Sequence, residues 1–334
     1  MKFAFLMCSE RSGSNFIVSL MNGHPEISGP PSSHLFRLFG LNAHNYFPIS
    51  NPANWEAFTA DLVTARENML SKWETQIDVE ELNKACPNRT MREALDYTYA
   101  KECRGNEQLS FVKENYTYMV VAFLLANWPT AKFVFQVRDP RDVAASWVKT
   151  DGAVGGVKEA VQTWFNDQTE SQRYFNQMSV SGRALQIRYE DLVADTPATA
   201  RKLCEHVGVE YDPEMLDYYK DKRTVINAKR IHAWENLAKP VMTSNFGKYK
   251  KTLSQDDIRY IELKCHKLMT SFGYTLDTDV ADLTEDERAF ELQDVVEKVN
   301  PGAANKQSPQ SEQSIRAGRL ALIERVKSRV PAHE

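Results

Sequence analysis

Residues 8–15 (CSERSGSN) combine the residue types that bind phosphate-like anions. They follow a predicted strand and precede a predicted helix, and a tight turn in this position leaves backbone N–H groups free at the positive end of the helix dipole. Gly13 allows close approach to the backbone, and Arg11 supplies a fixed cation. Three further side chains can form hydrogen bonds: Ser12, Ser14 and Asn15. The pattern predicts an anion-binding turn, although a plain helix cap has the same composition.

A second segment, residues 133–147 (FVFQVRDPRDVAASW), carries a more specific pattern. Arg138 leaves the carboxyl end of a predicted buried strand, which is where open α/β sheets bind ligands. Ser146 lies two turns along the following helix and shares a face with Asp142. We expect Arg138 and Ser146 to grip one phosphate from two directions. The alternative is a structural ion pair between Arg138 and Asp142 or Glu190.

Strands and helices alternate along most of the chain, which predicts a parallel sheet covered on both faces. Apolar β-rich runs predict strands at 2–8, 27–29, 109–112, 132–137 and 184–187. Helical spacing and capping signals predict helices at 14–22, 116–128, 139–148, 155–178, 191–207 and 254–272. Residues 52–105 also show helical spacing, with Trp55, Phe58, Leu62, Met69 and Trp73 on one side, and a second helix opens at Thr90.

Four segments together resemble the sulfotransferases that use 3′-phosphoadenosine 5′-phosphosulfate (PAPS). Residues 11–15 (RSGSN) resemble the 5′-phosphosulfate loop in its bacterial form, and residues 137–146 (VRDPRDVAAS) resemble the 3′-phosphate motif. Residues 187–192 (IRYEDL) and 246–254 (FGKYKKTLS) resemble later family segments. The resemblance covers about 2–29, 109–207 and 244–275. It implies a P-loop-like, three-layer α/β/α fold with a central parallel sheet and PAPS at the carboxyl ends of the strands.

The resemblance also implies which residues bind the nucleotide. Arg11 and the turn Ser12, Gly13, Ser14 and Asn15 are expected at the 5′-phosphate and bridging oxygen. Arg138 and Ser146 are expected at the 3′-phosphate. Further contacts are expected from Tyr189 at the adenine and from the closing segment with Lys248, Tyr249 and Lys250. PAPS would be the co-substrate, adenosine 3′,5′-bisphosphate the product, and no metal is expected.

A hydroxyl acceptor needs a general base, and the sequence leaves its identity open. Many bacterial relatives place Glu after the residues that correspond to Gly29, whereas His34 is the nearest titratable residue here. A histidine suits general-base work at neutral pH. Glu114 is the rival base, Lys113 beside it is expected to stabilise the sulfonate group, and His44 is a weaker candidate base.

Composition excludes several classes of protein. The 334 residues carry 41 basic and 45 acidic side chains, for a net charge of −4, so nothing favours nucleic acid as a partner. No apolar run approaches the ~20 residues of a membrane span. The five cysteines are widely spaced without a CxxC pair, which argues against a disulfide framework or a zinc site and favours a cytoplasmic location. Cys8 is interpreted as a packing residue.

The chain is predicted to divide near residue 275. Residues 1–275 would form the transferase domain, with a helical insertion at about 35–108. Residues 276–334 comprise an acidic segment at 277–297, linker composition at 300–314 and a basic amphipathic helix at 315–330. We expect this tail helix to dock on its own domain or on a second subunit, which would give a homo-oligomer.

These patterns predict transfer of a sulfonate group from PAPS to a hydroxyl or amine of a small molecule. A P-loop nucleotide kinase is the alternative enzyme, disfavoured because GxxxxGK[ST] is absent. A catalytically degenerate member of the PAPS fold that binds a partner through its tail is the non-enzymatic alternative.

Overall fold

The centre of the molecule is a five-stranded parallel sheet. A computed structural model describes residues 1–150, 155–280, 282–294 and 310–332. The strands are β1 (Lys2–Cys8), β2 (Ile27–Ser28), β3 (Leu109–Lys113), β4 (Lys132–Val137) and β5 (Ala184–Arg188). They lie in the order β2-β3-β1-β4-β5, and every neighbouring pair is parallel. The prediction of a central parallel sheet is confirmed.

Strand β1 shows why this sheet must be covered on both faces. Its residues are apolar without alternation, as is typical of strands buried on both sides. Phe3 and Phe5 pack into a cluster with the helical insertion, whereas Ala4 and Leu6 pack into the cluster on the opposite face. Successive side chains of a strand point to opposite faces, so β1 joins the two helical layers.

Fourteen α-helices are described, and most lie between the strands as predicted. They are α1 (Ser14–Asn22), α2 (Leu35–Leu41), α3 (Pro52–Glu67), α4 (Val79–Ala85), α5 (Met91–Ala100), α6 (Val121–Asn127), α7 (Pro140–Trp147), α8 (Gly156–Ser179), α9 (Tyr189–Ala194), α10 (Thr196–Val207), α11 (Lys222–Arg230), α12 (Gln255–Ser271), α13 (Glu285–Asp294) and α14 (Gln310–Lys327). The carboxyl ends of the strands and the helices that follow them form the edge where the predicted site residues gather.

Two predicted helices are divided in the structure. Met69 and Trp73 follow the end of α3, so they are not on the helix that their spacing indicated. Trp73 is nevertheless buried in the core, and its indole N–H donates to the carbonyl of Pro31 at 2.8 Å. The predicted helix 191–207 breaks at Asp195, whose side chain caps α10 by accepting from the N–H of Ala198.

The tail helix α14 docks on α3 within the same chain. Leu322 and Val326 are buried in the core cluster of the helical insertion. Asp61 of α3 accepts from the Nε of Arg325 at 2.8 Å and the Nη2 of Arg329 at 2.6 Å. Residues 300–309 of the predicted linker lie outside the described residues.

Candidate active site

The predicted anion-binding turn joins β1 to α1 and is open at the start of the helix. Gly13 adopts a φ of 79° at the N-cap of α1, and no side chain caps the helix. A Cβ at this position would lie 2.3 Å from a ring carbon of Tyr189, so only glycine fits here. Gln136 of β4 fixes the turn by donating to the carbonyl of Ser12 at 2.9 Å. The Ser12 hydroxyl is buried and has no hydrogen-bond partner in the described part of the chain.

The two predicted anion-binding segments meet through their arginines. The Nη1 of Arg138 donates to the carbonyl of Arg11 at 2.9 Å, and the Nε of Arg11 donates to the Ser146 hydroxyl at 3.2 Å. Burial lowers the pKa of Arg11, and the positive charge of Arg138 lowers it further. Two guanidinium groups therefore face one small region at the carboxyl end of the sheet, which we call the cradle (Arg11, Arg138 and Ser146).

Arg138 also binds the segment that was expected to close over the nucleotide. Its Nη2 donates to the carbonyl of Asn245 at 3.2 Å, and its guanidinium lies 4.3 Å from the centroid of the Tyr189 ring. Asn245 in turn donates to the Tyr189 hydroxyl at 2.6 Å and accepts from Lys248 at 2.5 Å. Tyr189 and Lys248 are thus brought to the cradle, as the sequence predicted, and Asn245 is a further residue there.

Asp142 positions the closing segment instead of pairing with Arg138. Its carboxylate accepts from the N–H groups of Gly247 at 2.6 Å and Tyr249 at 2.9 Å. Glu190 likewise binds elsewhere, accepting from the N–H of Asp139 at 3.0 Å. Among the residues the structure describes, Arg138 has no carboxylate partner, so its guanidinium charge is not neutralised.

Tyr249 and Lys250 direct their side chains to Asp277 and not to the cradle. The Tyr249 hydroxyl donates to Asp277 at 2.8 Å, and its ring packs with Ala145 and Ile258. Lys250 is 62% exposed and lies 3.5 Å from Asp277. The expected nucleotide contacts of these two side chains have no support in the geometry.

On the other side of the cradle, His34 starts α2 in a strained backbone conformation. Its φ is 61°, a left-handed value that is uncommon for a residue other than glycine. Its Nδ1 is buried and unpartnered within the described ranges. Burial lowers the pKa of His34 well below its usual value, and the charges of Arg319, Arg37 and Lys113 lower it further. The imidazole is therefore neutral at pH 7, and the same burial and positive charges make it a weaker base than an exposed histidine.

Glu114, the rival base, contacts the backbone at the start of α2. Its carboxylate accepts from the N–H groups of Phe36 at 3.1 Å and Arg37 at 2.7 Å. Burial raises the pKa of Glu114 to about 7, although these two hydrogen bonds oppose the shift. The contacts satisfy helix donors that otherwise lack a partner and fix the segment that carries His34.

Lys113 lies between the cradle and His34. It ends β3 opposite Leu6 of β1, which places it beside the strand that leads into the anion-binding turn. Lys113 is 7% exposed, its ammonium group has no hydrogen bond to any described residue, and burial lowers its pKa. The other candidates are less suited: His44 is exposed on a turn after α2, and Cys8 is buried with a pKa raised by burial to about 11.

A model of the sulfotransferase family matches residues 4–213 of the chain. The chain belongs to the sulfotransferase family. The resemblance in the sequence is thereby confirmed, and the match decides against the nucleotide kinase. Human carbohydrate sulfotransferase 3 is 25% identical over 223 residues, which are 60% of this chain and 45% of that protein. The chain thus spans about half the length of the curated relative it matches.

Solved sulfotransferase structures share the fold. The sulfotransferase domain of the olefin synthase from Synechococcus PCC 7002 has a TM-score of 0.58 and 21% identity, covering 83% of this chain and 96% of that domain. The sulfotransferase domain from the curacin biosynthetic pathway has a TM-score of 0.53 and 18% identity, covering 83% of this chain and 99% of that domain. Both confirm the three-layer α/β architecture.

Asp167 of this sulfotransferase was not anticipated from the sequence. It lies on α8, its Oδ1 is buried without a hydrogen-bond partner from the described chain, and burial raises its pKa to about 8. The side chain of Ser9 lowers the pKa of Asp167, and the negative charge of Glu10 raises it. A single acidic residue within a long helix carries no sequence signal of this environment.

Two features are absent from the residues that the structure describes. None of the helices there is long and apolar enough to cross a membrane. Nor do histidine, cysteine, aspartate and glutamate side chains gather there in groups of three that could hold a metal ion.

Proposed function

We propose that the chain transfers the sulfonate group of PAPS to a hydroxyl or amine of a small-molecule acceptor. The observation that carries this proposal is the convergence of Arg11, Arg138 and Ser146 from two adjacent strand ends. A nucleotide with phosphate groups on both the 3′ and the 5′ position needs two such anion-binding ends, and the family assignment supports PAPS as that nucleotide.

The residues present fit this nucleotide. The Ser12 hydroxyl and the Nε of Arg138 are buried donors without a partner among the described residues. The positive charge of Arg138 lowers the pKa of Arg11, and phosphate groups bound at the two arginines would offset this repulsion, because charge-assisted hydrogen bonds to phosphate are among the strongest in proteins. The glycine turn exposes backbone N–H groups to the same region.

The cradle and the residues around it then have separate roles in binding the nucleotide. Arg11 and the turn of Ser12, Gly13, Ser14 and Asn15 hold the 5′-phosphate and the bridging oxygen. Arg138 and Ser146 hold the 3′-phosphate, and Lys248 adds a cation. Tyr189 covers Gly13 and provides an aromatic surface for the adenine. Asp142 and Asn245 hold the closing segment in place.

The neighbouring residues supply the chemistry of transfer. PAPS provides an activated sulfonate group, whose transfer is an in-line displacement at sulfur. Positioning and electrostatic stabilisation are the main tasks of the protein in such a reaction. Lys113 and Arg11 stabilise the charge that develops on the sulfonate and bridging oxygens. His34, neutral and with a free ring nitrogen, takes the proton of the acceptor, and Glu114 acts as a positioning residue through α2.

The helices beside the site support a small acceptor, and the cysteines support a reducing cellular compartment. All five cysteines are free, which fits a cytoplasmic protein. The helical insertion between β2 and β3 and the docked tail helix bound the acceptor side. We also propose that residues 1–275 form the transferase domain.

A screen of sulfonate transfer tests the proposal. The protein is incubated with PAPS and a panel of alcohols, amines and sugars, and sulfated products are identified by mass spectrometry. Arg138→Ala is the matched control, and we expect products only with the wild type. Binding of adenosine 3′,5′-bisphosphate without turnover on any acceptor would instead favour the degenerate binding protein. Absence of both would contradict the proposal.

A further inference from the structure

The tail helix α14 reaches the acceptor side of the active site at its residue Arg319. The preceding residue, Gly318, packs so tightly on the end of α3 that a Cβ there would lie 2.3 Å from the Oδ1 of Asn68. One turn further on, Leu322 is 2% exposed, and Val326 is fully buried. These contacts fix the helix on both sides of Arg319, so the position of this residue is set by packing.

Arg319 differs from the neighbouring arginines of the tail. Arg316 pairs with Glu312, and Arg325 and Arg329 both pair with Asp61. Arg319 is half-buried and has neither a hydrogen bond nor an ion pair with any residue that the structure describes. Burial lowers its pKa, and the charge of Arg37 lowers it further. An unpaired cation that is partly withdrawn from water carries a desolvation cost that no partner offsets. A bound anion would offset this cost.

The surroundings of Arg319 contain an excess of positive charge. Arg37 lies 5.3 Å from the Tyr116 ring centroid and donates to the carbonyl of Asn115 at 3.4 Å, with no ion-pair partner in the described part of the chain. Among the residues that the structure describes, Glu114 is the one carboxylate that acts on Arg319 electrostatically, and its oxygens already accept from the backbone of α2.

The cations of the site divide between two sides. Arg11 lowers the pKa of Lys113, Arg319 lowers the pKa of His34, and Arg37 lowers the pKa of both groups. Lys113 therefore lies at the boundary between the cradle and His34, where it stabilises the sulfonate group that is transferred. Arg319 therefore lies on the His34 side of the site, where the proposed base meets the acceptor.

We propose that α14 forms one wall of the acceptor site and that Arg319, together with Arg37, binds an acidic group of the acceptor. A guanidinium matches the geometry of carboxylate and phosphate oxygens, and either anion would offset the unpaired charge. The acceptor is thus a small hydroxylated or aminated acid. This inference rests on the proposed function and specifies its substrate class.

Matched pairs of acceptors test this inference. Lactate is compared with lactamide, salicylate with salicylamide, and glycerol phosphate with glycerol, each with PAPS and the full chain. The lactate and salicylate pairs test recognition of a carboxylate, and the glycerol phosphate pair tests recognition of a phosphate. The variants are Arg319→Ala, Arg319→Lys and, as the matched control, Arg316→Ala, which removes a charge from the same helix at a residue paired with Glu312. The melting temperature of each variant is also measured.

We expect the wild type to prefer the acid in at least one pair. Arg319→Ala should raise the KM for that acid about 10- to 100-fold, the loss typical of a charged hydrogen bond, and leave the KM for PAPS within about twofold. Arg319→Lys should restore part of the preference, and Arg316→Ala should retain all of it.

Two results would overturn the inference while the proposed function stands. One is equal use of acid and neutral members by the wild type. The other is an equal loss for both members in Arg319→Ala with an unchanged melting temperature, which would assign Arg319 to the transferred sulfonate. Absence of transfer to any compound would overturn the proposed function, and the inference with it.

Discussion

The nucleotide side and the acceptor side of the active site are built in different ways. On the nucleotide side, Cys8 of β1 lies opposite Gln136 of β4, and Arg11 and Arg138 follow these residues within a few positions. The register of two adjacent parallel strands is therefore enough to bring both arginines together. On the acceptor side, His34, Glu114 and Arg319 come from three distant segments and meet only through packing of the helical insertion and the tail. Local motifs specify the first side, whereas tertiary structure specifies the second.

The largest effect of a substitution on the acceptor side is expected at His34. His34→Asn removes the base but keeps a residue that tolerates the left-handed backbone at this position. We expect kcat to fall by about 10²- to 10⁴-fold, the usual contribution of a general base, with unchanged affinity for adenosine 3′,5′-bisphosphate. Steady-state kinetics and calorimetry provide the two measurements, and His44→Asn, on the exposed turn, is the control. Full turnover in His34→Asn would shift the role of base to Glu114.

A smaller effect is expected when Glu114 is replaced conservatively. If Glu114 positions α2, Glu114→Gln keeps one of the two oxygens that accept from the backbone and should lower kcat by about tenfold. Glu114→Ala leaves the N–H groups of Phe36 and Arg37 without their partner and should cost much more. The ratio of kcat between the two variants is the measurement. Equal losses in both would identify Glu114 as the base and break the proposed division of roles.

The sequence predicted the strands well because each is a short apolar run between turn residues. The cradle was predictable for the same reason, since its residues directly follow strand ends. The orientation of Tyr249 could not be predicted, because its motif gives no indication that its side chain turns towards Asp277. The contact of Arg319 with the acceptor side could not be predicted, because nothing in residues 310–332 indicates which surface the helix covers. Asp142 carries no signal of its bonds to the closing segment either.

The smallest effect on activity is expected at Asp167, beneath the nucleotide side. Its pKa of about 8 lies above the unfolded value of 3.8, so the folded state favours the protonated form. Stability is therefore full below the unfolded pKa and is lost as the pH rises through the folded pKa. Asp167→Asn imitates the protonated form and should raise the melting temperature more at about pH 9 than at about pH 4, since one pKa unit corresponds to about 1.4 kcal/mol. An equal change at both values would show that Asp167 is not a buried acid of this kind.

The central claim is that two anion-binding ends of one cradle hold one doubly phosphorylated adenosine. Calorimetric titration of the wild type and Arg138→Ala with adenosine 3′,5′-bisphosphate and with adenosine 5′-phosphate tests it most directly. We expect Arg138→Ala to weaken binding of the bisphosphate by about 10²-fold, the loss of a charge-assisted hydrogen bond, and to leave binding of the 5′-phosphate nearly unchanged. Equal weakening for both nucleotides, or no difference between them in the wild type, would contradict the account.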